Sequence, residues 1–250
     1  MRYLLPLSLL LSPSLFALVS IAPVDIGARP GFSGNVYGSL STKNGNTEKD
    51  EYSFGLRMQY DQGNDYVAWG TATYDYGTSN NVKNEDKLYA HLRYIHAIDH
   101  NDWAAELFVQ SEQDEFRDIR ERSLAGAGLR WRFFNSADWG KGYFGLGGFA
   151  EKIDYSHPLI NPNEDNQRLN SYVAYTKQFG NGTKASYIGY YQPKFDESAD
   201  YVSLQAVELI VPVYGNLKLS LTGQYAYDSR PPVGIDSADS TFKTSLLLDF

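Results

Sequence analysis

From Gly31 onward, apolar and polar residues alternate with a period of two, in segments separated by polar stretches rich in Gly, Asn and Asp. Tyr52, Phe54, Leu56, Met58 and Tyr60 interleave with Ser53, Gly55, Arg57 and Gln59. Leu217, Leu219, Leu221, Tyr225 and Tyr227 interleave with Lys218, Ser220, Thr222 and Gln224, and a last set ends on Leu246, Leu248 and Phe250. A strand throws successive side chains to opposite faces, whereas a 3.6-residue period would scatter these sets around a helix. The pattern predicts strands over 31–41, 51–60, 65–76, 87–97, 102–110, 122–134, 142–153, 168–177, 183–191, 201–213, 217–227 and 240–250. Only 111–122, SEQDEFRDIRER, reads as a helical turn, and its charge argues against a place in any core.

The connections sort into two classes. Short ones (61–64, 98–101, 135–141, 178–182, 214–216) alternate with long ones (42–50, 77–86, 111–121, 154–167, 192–200, 228–239). Short turns on one side and long loops on the other predict an all-β, up-and-down antiparallel transmembrane barrel of about twelve strands in the bacterial outer membrane. A soluble exported β-sandwich or barrel is the alternative fold, and a sandwich has no reason to sort its loops this way.

On the parity assigned to lipid, Tyr60, Tyr94, Trp103, Trp131 and Phe250 fall at the short-turn ends, and Tyr52, Tyr74 and Tyr225 at the long-loop ends. Two aromatic girdles at the membrane interfaces would look like this. The opposite parity carries Arg57, His91, Arg93, Glu106, Arg130, Arg132, Glu151, Lys218 and Lys243, predicted to line the lumen. Both signs occur on neighbouring strands, with Arg93 and Arg130 flanking Glu106. Charges so placed need water or partners. They set up a leading reading, a narrow anion-favouring channel, and an alternative, a structural or surface-interacting barrel with acidic outer loops and a lumen plugged by its own ion pairs.

Ahead of the barrel, Arg2 and the apolar run from Leu4 to Leu11 read as a secretory signal peptide over 1–17, with cleavage as late as 22, followed by a short periplasmic segment over 18–30. With no Cys, disulfides and thiolate metal sites are out. The formal charge of −8 argues against nucleic acid as a partner, and the long connections together with their flanking residues Lys87, Arg122, Arg168 and Ser240 carry an acidic excess equal to all of it. Predicted partners are outer-membrane lipids and lipopolysaccharide, with small solutes or ions if the lumen is open. The four histidines, His91, His96, His100 and His157, sit in no hydrolase or zinc-protease motif, so no enzyme activity, metal or cofactor is predicted and a lipid hydrolase is the weakest reading.

Four motifs in order then carry a resemblance: the aromatic-Gly strand end Tyr74–Gly77, the E-x-F-x-Q strand at Glu106–Gln110, the D-E-F-R turn at Asp114–Arg117 and the R-x-L-x-G-x-G-L-R run at Arg122–Arg130. This stretch resembles the YdiY-like family of salt-induced outer-membrane proteins, a domain of unknown function. The likeness covers 31–134 by motif and 135–250 by strand pattern alone. It implies a compact outer-membrane barrel and an envelope-adaptation role, and brings no catalytic or binding residues. Phe250, ending an alternating strand, resembles the C-terminal signal read by the barrel-assembly machinery.

Overall fold

The computed structural model describes residues 23–43, 49–99 and 102–250. The predicted signal peptide, most of the first long connection and His100 lie outside the described residues. Twelve antiparallel strands close into one ring, each paired with its neighbours in sequence and β1 paired with β12. They are β1 Gly31–Lys43, β2 Lys49–Asp61, β3 Tyr66–Ser79, β4 Val82–Asp99, β5 Trp103–Asp114, β6 Ile119–Ser136, β7 Gly140–Tyr155, β8 Glu164–Gln178, β9 Lys184–Pro193, β10 Tyr201–Tyr214, β11 Leu217–Asp228 and β12 Ala238–Asp249. All twelve predicted segments are present in order, and the strand number is the predicted one.

The differences lie at the long-loop ends, where strands run further than the alternation indicated. β4 begins at Val82, because β3 and β4 join through Asn80 and Asn81, both at positive φ (49° and 61°). Two consecutive left-handed residues make the tight turn that matches the twist of a hairpin, and Asn accepts that conformation more readily than most residues. The expected ten-residue loop is therefore a hairpin tip. β5 likewise continues to Asp114, and only Glu115–Arg117 forms a 3-10 turn, capped by the Asp114 side chain and ended by Asp118 at φ 63°.

Alternation sends Phe54, Leu92, Leu107, Leu129, Leu146 and Leu246 to the outside, where all stand exposed. Aromatic contacts run along the short-turn rim through Phe32, Tyr60, Tyr66 and Tyr94, and again through Trp103, Trp131 and Phe133. Tyr191, Tyr201 and Tyr227 form a similar chain at the other rim. The inside is packed in layers: Phe108, Leu124 and Phe149 form one cluster, and Tyr143, Tyr172, Ala174, Ile188 and Ala206 another. Tyr172 reaches its place by lying over Gly145, its register partner on β7; a Cβ there would sit 2.0 Å from the ring.

The ring is not closed evenly. β1 and β12 pair only from Asn35 to Gly38 against Asp249 to Leu246, extended by the reciprocal backbone hydrogen bonds of Gly34 and Phe250 at 3.0 and 2.9 Å. On its other side β1 pairs with β2 along its whole length, from Gly31 to Lys43.

The N-terminal stretch from Pro23 packs against the barrel. Ile26 is buried in the short-turn mouth of the barrel against Val67, Ile95 and Ala104, with Val24 beside it. Asp61, 1% exposed, accepts hydrogen bonds from the backbone N–H groups of Gly27, Gly63 and Arg29 at 2.9, 2.9 and 3.0 Å. Sequence alternation carried no sign of this, since the segment is too short to have a period.

Replacing Gly145 with Ala forces Tyr172 off the wall. Overpacking of this kind costs about 1–3 kcal/mol, so the variant's urea-unfolding midpoint in detergent is expected to fall while wild-type electrophoretic mobility of the folded barrel is kept.

Candidate functional site: a charged lumen

The inward parity of β4 reads Lys87, Tyr89, His91, Arg93 and Ile95, and that of β5 reads Ala104, Glu106, Phe108, Gln110, Glu112 and Asp114. Charge and aromatic groups thus come in bands, and three bands organise the lumen.

The outer band is a chain of ion pairs. Lys87 bonds Glu112 at 2.6 Å and Asp114 at 3.2 Å; Arg122 joins Glu112 at 3.3 Å to Glu151 at 2.7 Å. Arg168 continues it from Glu151 at 2.6 Å to Asp200 at 3.0 Å, and Lys194 ends it on Asp200 at 2.7 Å and Glu164 at 3.3 Å. This chain runs from β4 to the connection before β10. Lys87, Glu112, Asp114, Arg168 and Asp200 are all buried, although the alternation left Glu112, Asp114 and Asp200 in the long outer connections. The signal was available: Glu112 and Asp114 continue the parity of Glu106, Phe108 and Gln110 without a break.

The central band holds Arg93, 3.6 Å from Glu106, and Arg130, 3.7 Å from it, so the neighbours anticipated on β4, β5 and β6 do meet. The Tyr172 hydroxyl donates to Glu106 at 2.7 Å from the far side of the lumen. Arg57 lies over the Trp69 ring, 4.2 Å from its centroid, and Arg93 over Trp69, Phe108 and Tyr172 at 5.7, 5.2 and 5.9 Å. His91 is stacked among Trp69, Tyr89 and Phe108. On the opposite wall Lys243 of β12 passes beneath β1 to Ser53 of β2 at 2.8 Å and Asp75 of β3 at 2.6 Å.

The short-turn band is where Arg132 and Lys218 sit. Both are half-buried at the rim, paired with Asp102 at 2.9 Å and Asp249 at 2.5 Å. Here Arg130 donates to the carbonyl oxygen of Val24 at 2.9 Å, and Asp25 is bonded by Lys141 and by the Tyr143 hydroxyl. Burial alone would raise the Asp25 carboxyl, but these two donors outweigh it and hold it below its ordinary value of 3.8. Of the aromatics assigned to the interfaces, Tyr52, Tyr60, Tyr74, Trp103, Trp131, Tyr225 and Phe250 are exposed on the outer wall. Tyr94 is half-buried between Tyr66 and His96.

The profile of a family described as "Protein of unknown function, DUF481" matches residues 38–250. The chain belongs to this family. The DUF481 match runs through β7–β12 to the C-terminus, well past the stretch in which motifs carried the YdiY-like resemblance. No curated protein matches this DUF481 chain. Solved structures similar to it include the β domain of the Bordetella autotransporter BrkA, at 10% identity, covering 88% of this chain and 98% of that one with a TM-score of 0.42. The translocator domain of the autotransporter NalP from Neisseria meningitidis is similar at 10% identity, covering 88% and 87%, with a TM-score of 0.41.

Lys243→Met strands the Asp75 carboxylate in the lumen wall. Removing one partner of a buried pair costs about 3–5 kcal/mol, more than the intact pair contributes. Lys243→Met should therefore lower unfolding stability sharply, and adding Asp75→Asn should recover a large part of the loss.

Proposed function

We propose that this DUF481 protein is an outer-membrane barrel whose lumen is closed at rest, serving the envelope as a structural and surface-interacting element. The observation that carries this reading is the crowding of the lumen: ion pairs and rings cross it in bands, and the chain's own residues 23–29 occupy its short-turn mouth. Membrane placement is supported by the inverted distribution, apolar groups outside and charges inside. Strands of ten to eighteen residues are long enough to cross, since about 9–11 tilted residues suffice. Lipids and lipopolysaccharide surround the belt, and β12 with Phe250 presents itself to the assembly machinery.

A narrow channel is the second reading, and one feature favours it. The mouth is blocked by a short segment held at a few points, so displacing that segment would uncover the space behind it. A non-enzymatic role is supported by the three described histidines: His91 is walled in by rings, His96 meets the Tyr94 hydroxyl, and His157 pairs with Asp118 in the outer loops.

Planar-bilayer recording separates the readings. Wild-type protein is expected to be silent, and large persistent steps would sink the closed-lumen reading. Deleting residues 23–29, or replacing Asp61 with Ala to release them, is expected to produce small conductance steps if the plug alone closes the mouth.

The anchor's pH dependence follows from Asp25. Its folded value lies below 3.8, so its contribution is complete above that pH and is lost only as pH falls through the lower value. Protease protection of the segment should be unchanged from pH 7 to pH 5 and weakened at neutral pH by Asp25→Asn.

A further inference from the structure

Between the N-terminal segment and the outer band of ion pairs, the lumen retains a cavity of about 220 Å³. Its wall is mostly ring and aliphatic surface, from Trp69, Phe108, Leu124, Phe149 and Tyr172, with Val24 closing it toward the mouth. An apolar cavity of about 150 Å³ accommodates benzene. The present one therefore has room for a ring with one polar substituent.

The polar groups at this wall are not evenly satisfied. The one carboxylate on it, Glu112, has both oxygens taken, by Lys87 and by Arg122. The unsatisfied groups include donors. Arg93, buried and held among three rings, has the 3.6 Å approach of Glu106 and a side-chain hydrogen bond with Tyr190, yet its Nε finds no hydrogen-bond partner. The indole N–H of Trp69 finds none either. Glu106, just behind, is shared between Arg93, Arg130 and the Tyr172 hydroxyl, so one carboxylate faces two guanidinium groups. Buried polar atoms without partners are rare enough to need a reason, and a guanidinium in a mostly apolar chamber is an incomplete arrangement.

We propose that this chamber is a binding site for a small amphipathic carboxylate, an aromatic or branched acid of about ten non-hydrogen atoms. The acid's carboxylate accepts from Arg93 and from the Trp69 N–H, and its apolar body lies among Phe108, Leu124, Phe149 and Tyr172. The site rests on the closed-lumen reading, because the outer ion pairs and the N-terminal segment make it a chamber rather than a stretch of channel. Neither the family nor the likeness to other barrels assigns it.

The test is calorimetric titration of the full protein in detergent, using benzoate as the probe, with benzyl alcohol and acetate as the uncharged and the ring-less comparisons. Saturable one-to-one binding of benzoate is expected, with both comparisons at least tenfold weaker. Arg93→Gln should weaken benzoate at least tenfold, and Trp69→Phe by less. Leu124→Trp, which fills the chamber, should abolish binding while folded-barrel mobility on unheated gels is retained. No binding, equal binding of benzyl alcohol, or undiminished heat with the filled variant would overturn the site, the last because it reports partition into micelles. Should Arg93→Gln not fold, Trp69→Phe and Leu124→Trp decide. Conductance of the same preparation keeps the two readings apart. A silent protein that ignores benzoate loses the site alone, and a conducting one that binds it loses the closed lumen alone.

Discussion

A strand ring hydrogen-bonded to itself leaves side chains only two directions, and successive residues must take them in turn. Twelve strands enclose a space wider than an eight-stranded barrel, which side chains just fill, and narrower than a sixteen-stranded porin, which holds an aqueous channel. Inward residues meet one another from neighbouring strands and from several strands away, and leave a cavity of about 220 Å³ among them. Tyr172 reaching Glu106 from β8 to β5, and Lys243 reaching Asp75 from β12 to β3, are the long reaches this geometry demands. In the outer band each charge is given an opposite neighbour. The outer band from Lys87 to Lys194 alternates sign almost residue by residue.

Such a network specifies more than it stabilises. Bringing a carboxylate and a guanidinium out of water costs several kcal/mol per ion, which their attraction roughly offsets. The penalty falls on any arrangement that separates them. A slipped strand would set like charges side by side, so the pairs work with the alternation to fix register. Glycine contributes in the opposite way: the bare backbone at Gly145 lets the Tyr172 ring lie flat, and through it places the hydroxyl on Glu106.

The period of two was enough to count the strands and assign faces, because one face of every strand is committed to an apolar surround and the other to a polar one. It failed where composition and position disagree. Glu112, Asp114, Lys87 and Arg168 look like loop residues by charge, yet they lie on strands and are buried by partners far away in sequence. Phe108, Leu124 and Phe149 look like outward residues by hydrophobicity but line the lumen. The left-handed pair Asn80–Asn81 was a hairpin signal in plain view, obscured by the expectation that every loop on that side be long. The mouth-filling segment depends wholly on tertiary contacts to Asp61, Val67 and Lys141, and no local pattern encodes those.

The β1–β12 seam has a consequence for how the ring comes into being. Every other ladder joins strands adjacent in sequence, and its chain loop is short. The seam alone must bring Asn35 to Asp249, the largest loop in the molecule, and it does so over the few residue pairs between Asn35 and Gly38. Loop-closure entropy is greatest where the ladder that offsets it is briefest. The eleven hairpin pairings can thus form from one end to the other as an open, curling sheet, and the last event is a clasp. Run backwards, the clasp is the first to part, so the lifetime of the closed ring is set by a few residues at each chain end rather than by the long strands between them.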